Sequence, residues 1–316
     1  MFWFAQHNSD PSLLWVEKSS LQRSEFNGYT RDRLLPAVMI WGKDLPLDRI
    51  TEPKGYLWCG QGANPVCLMR TSWSDPNAIF LGFKAGSASV NHGHMDIGSF
   101  VLEADGLRWA SDFGMQDYES LESKGIEVFG RTQDAQRWTI FRTNNKAHNT
   151  ITVDNQLQKV KGYAKIDRFS DNPELMFAIS DLSGVYENQL KSAKRGVAIV
   201  DRRFVVVSDE VVSLNKPTTI RWTMMTTATP VLEDERITLS KEGHQLFIQV
   251  KTGGVIKMKT WPTEPATGYD APNPGTSLVG FEMELKPNQK KTIQVLLIPG
   301  SSNRLNINFK KRLNSW

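Results

Sequence analysis

The chain has 316 residues, 40% of them apolar and 23% charged, with 38 basic against 34 acidic side chains and a formal net charge of +4. That length suits about two domains of roughly 150 residues and buries a core without a disulfide scaffold. Ordinary Gly and Pro content excludes collagen and low-complexity disorder. The longest apolar run, Leu34 to Trp41, falls short of the about 20 residues of a membrane span, and so mild a charge, without a long like-charge run, excludes an obligate nucleic-acid binder.

Residues 1–50 read as helical. Met1 to Ala5 are apolar with no basic leader and no small-residue cleavage site, so they are not a signal peptide, and they start without a cap, as a fragment begun in mid-helix would. Asp10-Pro11 is a helix start, with Asp as N-cap and Pro in the first turn. Leu13, Leu14, Val16 and Leu21 supply an apolar face, and the helix is expected to end before Asn27-Gly28. A second helix is predicted from Leu35 to Trp41, with Pro36 in its first turn and Gly42 beyond its end. Two short apolar helices cannot make a core alone and must pack on something else.

After Thr51 the character changes. Pro53, Gly55, Gly60, Gly62 and Pro65 mark loops. Runs rich in β-branched residues then recur at 66–72, 79–84, 99–105, 149–153, 203–212, 218–227, 236–240, 245–251 and 292–298. Hairpins are expected between 236–240 and 245–251 and around Asp201-Arg202. No helical pattern separates the later strands, so parallel βαβ units are excluded. The fold class is mainly β: a large antiparallel sandwich over 56–316, preceded by a few α-helices in 1–55. Residues 114–146 form a long polar connection, and long loops on a sheet scaffold carry function or move. Cys59 and Cys67 can bridge, but nothing in their spacing requires it.

Five histidines are present, and two stand in NHGHMDIGSF at 91–100. On a strand, His92, His94 and Asp96 share one face. Imidazoles and carboxylates are the usual zinc ligands, and a three-ligand set draws on residues elsewhere. Asp112 in WASDFG and His148 in KAHNTITV are the candidates, both at ends of strand-like runs. His7 and His244 read as surface residues. A cupin metal motif departs from this pattern, since its carboxylate positions hold Gly98 and Ser99 here.

The segment NHGHMDIGSFVLEADGLRWASDFG, then Tyr118, then KAHNTITVDNQLQ resembles the heparinase II/III-like polysaccharide lyases. The resemblance covers about residues 79–160 and continues loosely through the later strands. It implies that the leading helices are the last part of an α/α toroid whose remainder this chain lacks, with an antiparallel sandwich following. It implies that His94, Asp112 and His148 bind Zn2+, with Ca2+ as second choice, and that Asp96 holds an imidazole from behind. It implies that His92 faces the cleft and takes part in catalysis, with Tyr118 as a phenol from the sandwich side and further catalytic groups from the toroid. The reaction implied is β-elimination from a uronic acid in an anionic polysaccharide of heparin or heparan type. An alginate-type lyase and a non-catalytic glycan-binding sandwich stand as alternatives. Arg131 and Arg142 are the cations expected to pair with carboxylates or sulfates. A polymeric substrate implies a periplasmic or secreted protein, and a homo-oligomer is compatible with the sequence.

Overall fold

The computed structural model describes residues 1–21, 33–253, 256–302, 307 and 309–316. The expected helix end before Asn27-Gly28 lies outside the described residues. The chain divides into two compact units, Met1–Tyr56 and Leu57–Trp316.

The first unit is helical, as its sequence predicts, but less regular. Helix α1 spans Phe2–His7. Asp10 does cap the next segment, accepting from the Ser12 N–H at 3.1 Å, yet Pro11–Glu17 winds as a 3-10 helix and only Lys18–Leu21, α2, closes to an α turn. Helix α3 spans Leu35–Gly42 with Pro36 in its first turn. Phe2, Ala5, Leu14 and Ile50 form a small core with Leu13, Trp15 and Val38 against it. Met39, Ile40 and Trp41 on α3 remain exposed.

The second unit holds three antiparallel sheets. The first runs in chain order: β1 (Leu57–Gly60), β2 (Val66–Arg70), β3 (Phe80–Lys84), β4 (Phe100–Ala104) and β5 (Leu107–Ala110). Cys59 and Cys67 face each other across β1 and β2 and form a disulfide, which settles the pairing that spacing left open. A four-stranded sheet contains β6 (Ile151–Val153), β11 (Thr218–Thr226), β15 (Lys257–Trp261) and β16 (Ser277–Leu285), ordered β15-β16-β11-β6.

The third sheet has eight strands: β7 (Arg168–Ser170), β8 (Leu175–Asp181), β9 (Leu190–Val200), β10 (Phe204–Ser213), β12 (Thr229–Leu232), β13 (Arg236–Lys241), β14 (His244–Lys251) and β17 (Lys290–Pro299). Their order is β12-β13-β14-β17-β10-β9-β8-β7. Both expected hairpins form. Glu242 and Gly243 take positive φ between β13 and β14, and Asp201 and Arg202 do so between β9 and β10. Two consecutive left-handed residues match the right-handed twist of paired strands.

The run Phe204 to Val207 is apolar at every position because β10 is covered on both faces. One face packs Val206, Ala198, Phe204 and Leu296 against Phe309, Leu313 and Trp316 of the C-terminal segment. Gly196 makes room for that segment, since a Cβ there would stand 2.4 Å from Leu313 and 2.7 Å from Trp316. The other face carries a fully buried ion pair. Arg195 and Asp209 lie opposite each other in the β9–β10 register, and the guanidinium forks onto the carboxylate at 2.7 and 2.9 Å. The remaining nitrogen, Nη1, donates to the Gly98 and Asn149 carbonyls at 2.8 and 3.0 Å.

Removing one partner of a buried, hydrogen-bonded pair typically costs about 3–5 kcal/mol, whereas replacing both with apolar residues is far milder. Asp209→Ala should therefore lower unfolding free energy by about that amount in urea titrations. The double change Arg195→Met with Asp209→Leu should recover much of the loss and still accelerate amide exchange across residues 91–99, whose Gly98 carbonyl has lost its donor.

Tyr186 is buried beside this pair and donates its hydroxyl to the Ile151 carbonyl at 2.7 Å. Burial pushes its pKa up to about 12, against the hydrogen bonds from Thr150 and Gln158. An unfolded phenol ionises near about 10, so the native state favours the neutral form. The stability this contributes is complete below pH 10 and is lost as pH rises toward 12, about 2–3 kcal/mol in all. Tyr186→Phe should flatten that part of the alkaline stability profile, read by thermal melts from pH 9 to 12.

Candidate functional site

The histidine motif lies in the connection between β3 and β4, and the structure corrects its local form. Residues 91–99 make turns rather than a strand, so His92, His94 and Asp96 do not share a strand face. His92 has φ of 56°, in the left-handed region, which breaks the alternation that the i, i+2, i+4 reading requires. Gly93 is needed for close approach: a Cβ would meet the Ala88 carbonyl oxygen at 2.9 Å and Val90 Cγ2 at 2.9 Å. The turn is pinned from several sides. The Met95 N–H donates to the Thr143 carbonyl at 2.8 Å, the Ile97 N–H and carbonyl both bond the Gln158 amide at 3.2 and 2.8 Å, and Met95 and Ile97 are fully buried.

The two histidines therefore serve different neighbours. His92 is exposed, and its Nδ1 lies 2.8 Å from the Tyr118 hydroxyl, with the rings parallel and 5.7 Å apart. Tyr118 opens helix α4 (Tyr118–Glu122), capped by Asp117, whose carboxylate accepts from the Ser120 N–H at 2.9 Å. Its ring packs on Phe129 and on the cluster of Leu121, Ile126, Val128 and Ile140. The phenol is thus held from behind and meets His92 at its tip.

His94 turns to His148, with ring centroids 5.5 Å apart. His148 is fully buried, and its Nδ1 lies 2.7 Å from Asp112 Oδ2. Asp112 follows β5 and also accepts from the Gly114 N–H at 2.8 Å. Burial works against a charged His148, but the Asp112 charge and hydrogen bond, helped by Asp96, outweigh it and hold the imidazole above its usual pKa. For Asp112, burial is likewise outweighed, by His148 above all, so the carboxylate stays well below the usual range. Burial first, and then the charge of His148, push His94 down to about 4 against Asp96 and Asp112. His94 is consequently a neutral imidazole with a lone pair at pH 7.

The structure thus brings together the three side chains predicted as metal ligands. Their chemistry, two imidazoles and a carboxylate, suits zinc, and His148 Nε2 is buried without a hydrogen-bond partner. As placed, His148 and Asp112 bond each other, and among the described residues no group of three or more His, Cys, Asp or Glu stands in a metal-ready arrangement. The set fits in donor type, with a proton between two of its members. Asp96 does not back a histidine nitrogen as the sequence suggests; it pairs with Lys84 at 2.6 and 2.7 Å.

The two arginines part company. Arg142 donates through Nε, Nη1 and Nη2 to Asn273, the Met115 carbonyl and the Pro272 carbonyl at 3.0, 3.0 and 3.1 Å, and so ties two loops together. Arg131 is exposed. Burial above all, with a smaller part from Arg131, holds the nearby Arg137 below its usual pKa against Tyr118 and Glu127; Arg137 donates to the Gly93 carbonyl at 2.7 Å and lies over Trp138.

Sequence reasoning missed the residues that hold the site. Asn149, beside His148, donates to the Phe100 and Ser111 carbonyls at 2.7 Å each and accepts from the Met225 N–H at 2.6 Å. It thereby joins β4, the end of β5 and β11. Gln158, Arg137 and Arg195 hold the turn at Ile97, Gly93 and Gly98. Each is polar and almost wholly buried, and one sequence carries no signal of burial for such residues.

No protein of curated function matches the chain by sequence. Among solved structures, one described as heparinase III superposes with a TM-score of 0.67 at 14% identity, covering 87% of this chain and 43% of its own. Heparan sulfate lyase HepC from Pedobacter heparinus gives a TM-score of 0.64 at 17% identity, covering 92% of this chain and 42% of its own. The chain therefore spans less than half the length of these proteins, and the likeness establishes the sandwich fold. The family described as Heparinase II/III-like, C-terminal, matches residues 68–307, which is most of the chain, so the chain belongs to the heparinase II/III-like family.

Proposed function

We propose that this chain is the sandwich portion of a polysaccharide lyase that cleaves a uronic-acid polymer of heparin or heparan sulfate type by β-elimination. The observation that carries the reading is the His92–Tyr118 pair, an imidazole on an exposed turn 2.8 Å from a phenol at the start of α4, in a chain of this family. β-Elimination removes the proton beside the uronate carboxylate and expels the 4-linked oxygen. It needs an acceptor for the first and a donor for the second. With Nδ1–H donating to the Tyr118 oxygen, His92 Nε2 can take the carbon-bound proton while the Tyr118 hydroxyl proton passes to the leaving oxygen. The Nδ1 proton then passes to the phenolate, and exchange with solvent that moves the imidazole proton from Nε2 back to Nδ1 restores the starting tautomer. The carboxylate beside the reacting carbon must be neutralised for its proton to be acidic, and Arg131 is the exposed cation assigned to it. Arg142 acts by fixing loops.

His94, Asp112 and His148 are assigned as the residues that hold Zn2+. Bound there, the metal would supply positive charge that neutralises Asp112 and orders the three segments. A periplasmic or extracellular site follows from the polymeric substrate, and the Cys59–Cys67 disulfide supports an oxidising compartment.

The test uses the whole protein that contains this sandwich, assayed by the absorbance of the unsaturated uronate product on heparan sulfate and on alginate. His92→Ala should lower kcat by about 100- to 10,000-fold, and Tyr118→Phe by about 10- to 100-fold. Wild-type turnover in His92→Ala at normal metal content would leave only the glycan-binding reading, and faster turnover on alginate would reassign the substrate.

Elemental analysis of protein never exposed to chelator should find about one zinc per chain. His148→Ala and Asp112→Ala should each abolish it, and chelation should lower Tm in the wild type alone. A wild-type preparation free of metal removes the assignment.

A further inference from the structure

Among the described residues, two cations outside the His92 region stand together without a bonded anion. Arg221 lies on β11 and Lys146 in the turn that precedes His148, and both line a cavity of about 290 Å³ with Trp261, Thr139, Phe141 and Asp270. The Arg221 guanidinium stacks 4.1 Å from the Trp261 ring centroid, and its Nε is buried with no hydrogen-bond partner.

Among the described residues, each nearby carboxylate has another bonded partner. Glu282, opposite Arg221 in the β11–β16 register, pairs with Lys259 at 2.5 Å. Asp154, across a second hollow that Arg221 also borders, pairs with Lys216 at 3.1 Å. Asp270 accepts from the Phe141 N–H and the Thr267 hydroxyl at 2.8 and 2.6 Å. A half-buried guanidinium left without a partner is costly to fold, and placing a lysine beside it adds repulsion. Burial already pushes Arg221 down to about 10, against the help of Glu282, yet it remains charged at neutral pH. Such a pair is what an incoming anion would complete, and the Trp261 ring beside it offers an apolar face of the size of a sugar ring.

We propose that Arg221, Lys146 and Trp261 form a second anion subsite that takes a carboxylate- or sulfate-bearing sugar residue on the outer face of the four-stranded sheet. Its identification with sugar rests on the lyase reading; its preference for an anion does not. Arg221 presents a planar fork to the anion, Lys146 adds a point charge, and Trp261 packs against the ring. The subsite would hold a part of the chain away from the bond being broken, joined to His148 through the 145–148 turn.

The test is calorimetric titration of the chain with a heparan sulfate hexasaccharide, with inorganic sulfate and neutral maltohexaose as parallel probes, and with the Arg221 Nε–H resonance followed by NMR. The hexasaccharide should bind and shift that resonance. Arg221→Gln and Lys146→Gln should each weaken binding about tenfold, and Trp261→Ala should weaken the hexasaccharide while leaving sulfate unchanged.

Lys146→Gln decides the matter if Arg221→Gln melts early. Affinity within twofold of wild type in Lys146→Gln overturns the subsite, and maltohexaose binding as tightly overturns its anion preference. Binding that depends on both cations, in a whole protein without lyase activity, leaves the subsite standing while the lyase reading fails.

Discussion

The buried fork of Arg195 on Asp209 is the interaction on which the site's geometry depends. It belongs to the eight-stranded sheet, where the two residues face each other across β9 and β10. Its spare nitrogen reaches out of that sheet to the carbonyls of Gly98 and Asn149. Those are the end of the His92–His94 turn and the residue after His148. Two loops far apart in sequence are thus fixed to one guanidinium. A buried ion pair is weak evidence for stability as such; here its value is positional, because Arg195 satisfies two loop carbonyls that no strand partner reaches.

Asn149 extends the same logic outward. Its amide gives two protons to β4 and the end of β5 and takes one from β11, so the first and the four-stranded sheets meet at one side chain. Asp112 then arrives at His148 because Ser111 bridges to Met225 on β11. His92 sits on a turn and Tyr118 opens α4, and the His92 turn hangs from rigid sheets by buried polar groups. That arrangement tolerates a left-handed His92 and a crowded Gly93, because the surroundings over-determine the local backbone.

Most of the sheet framework was legible in the sequence, since β-branched runs bounded by Gly, Asn and Asp report a strand wherever one face is buried. All nine predicted strands form. Other strands escaped notice, some with weak signals, as in β1 with Trp58, Cys59 and a glycine, and some despite apolar runs, as in β8 and β16. The spacing of His92, His94 and Asp96 misled because alternation presumes a strand, and a single positive φ at His92 cancels it. The grouping of His94, Asp112 and His148 was legible through the family's motifs. Its supports were not, because Arg195, Asn149 and Gln158 look like surface residues until the fold buries them.

The His148–Asp112 contact shows what a metal would and would not contribute. With a proton between them, the imidazole and carboxylate already hold the loop ends 2.7 Å apart. Arg195 and Asn149 hold the same loops through the Gly98, Asn149 and Ser111 carbonyls. The segments are therefore assembled without a metal, and an ion bound there would replace one proton and add His94, whose depressed pKa leaves its lone pair available. The neighbouring His92–Tyr118 pair shares only the two-residue step through Gly93 with that centre. Because Arg137 clamps the Gly93 carbonyl, the backbone between His92 and His94 is fixed at its midpoint.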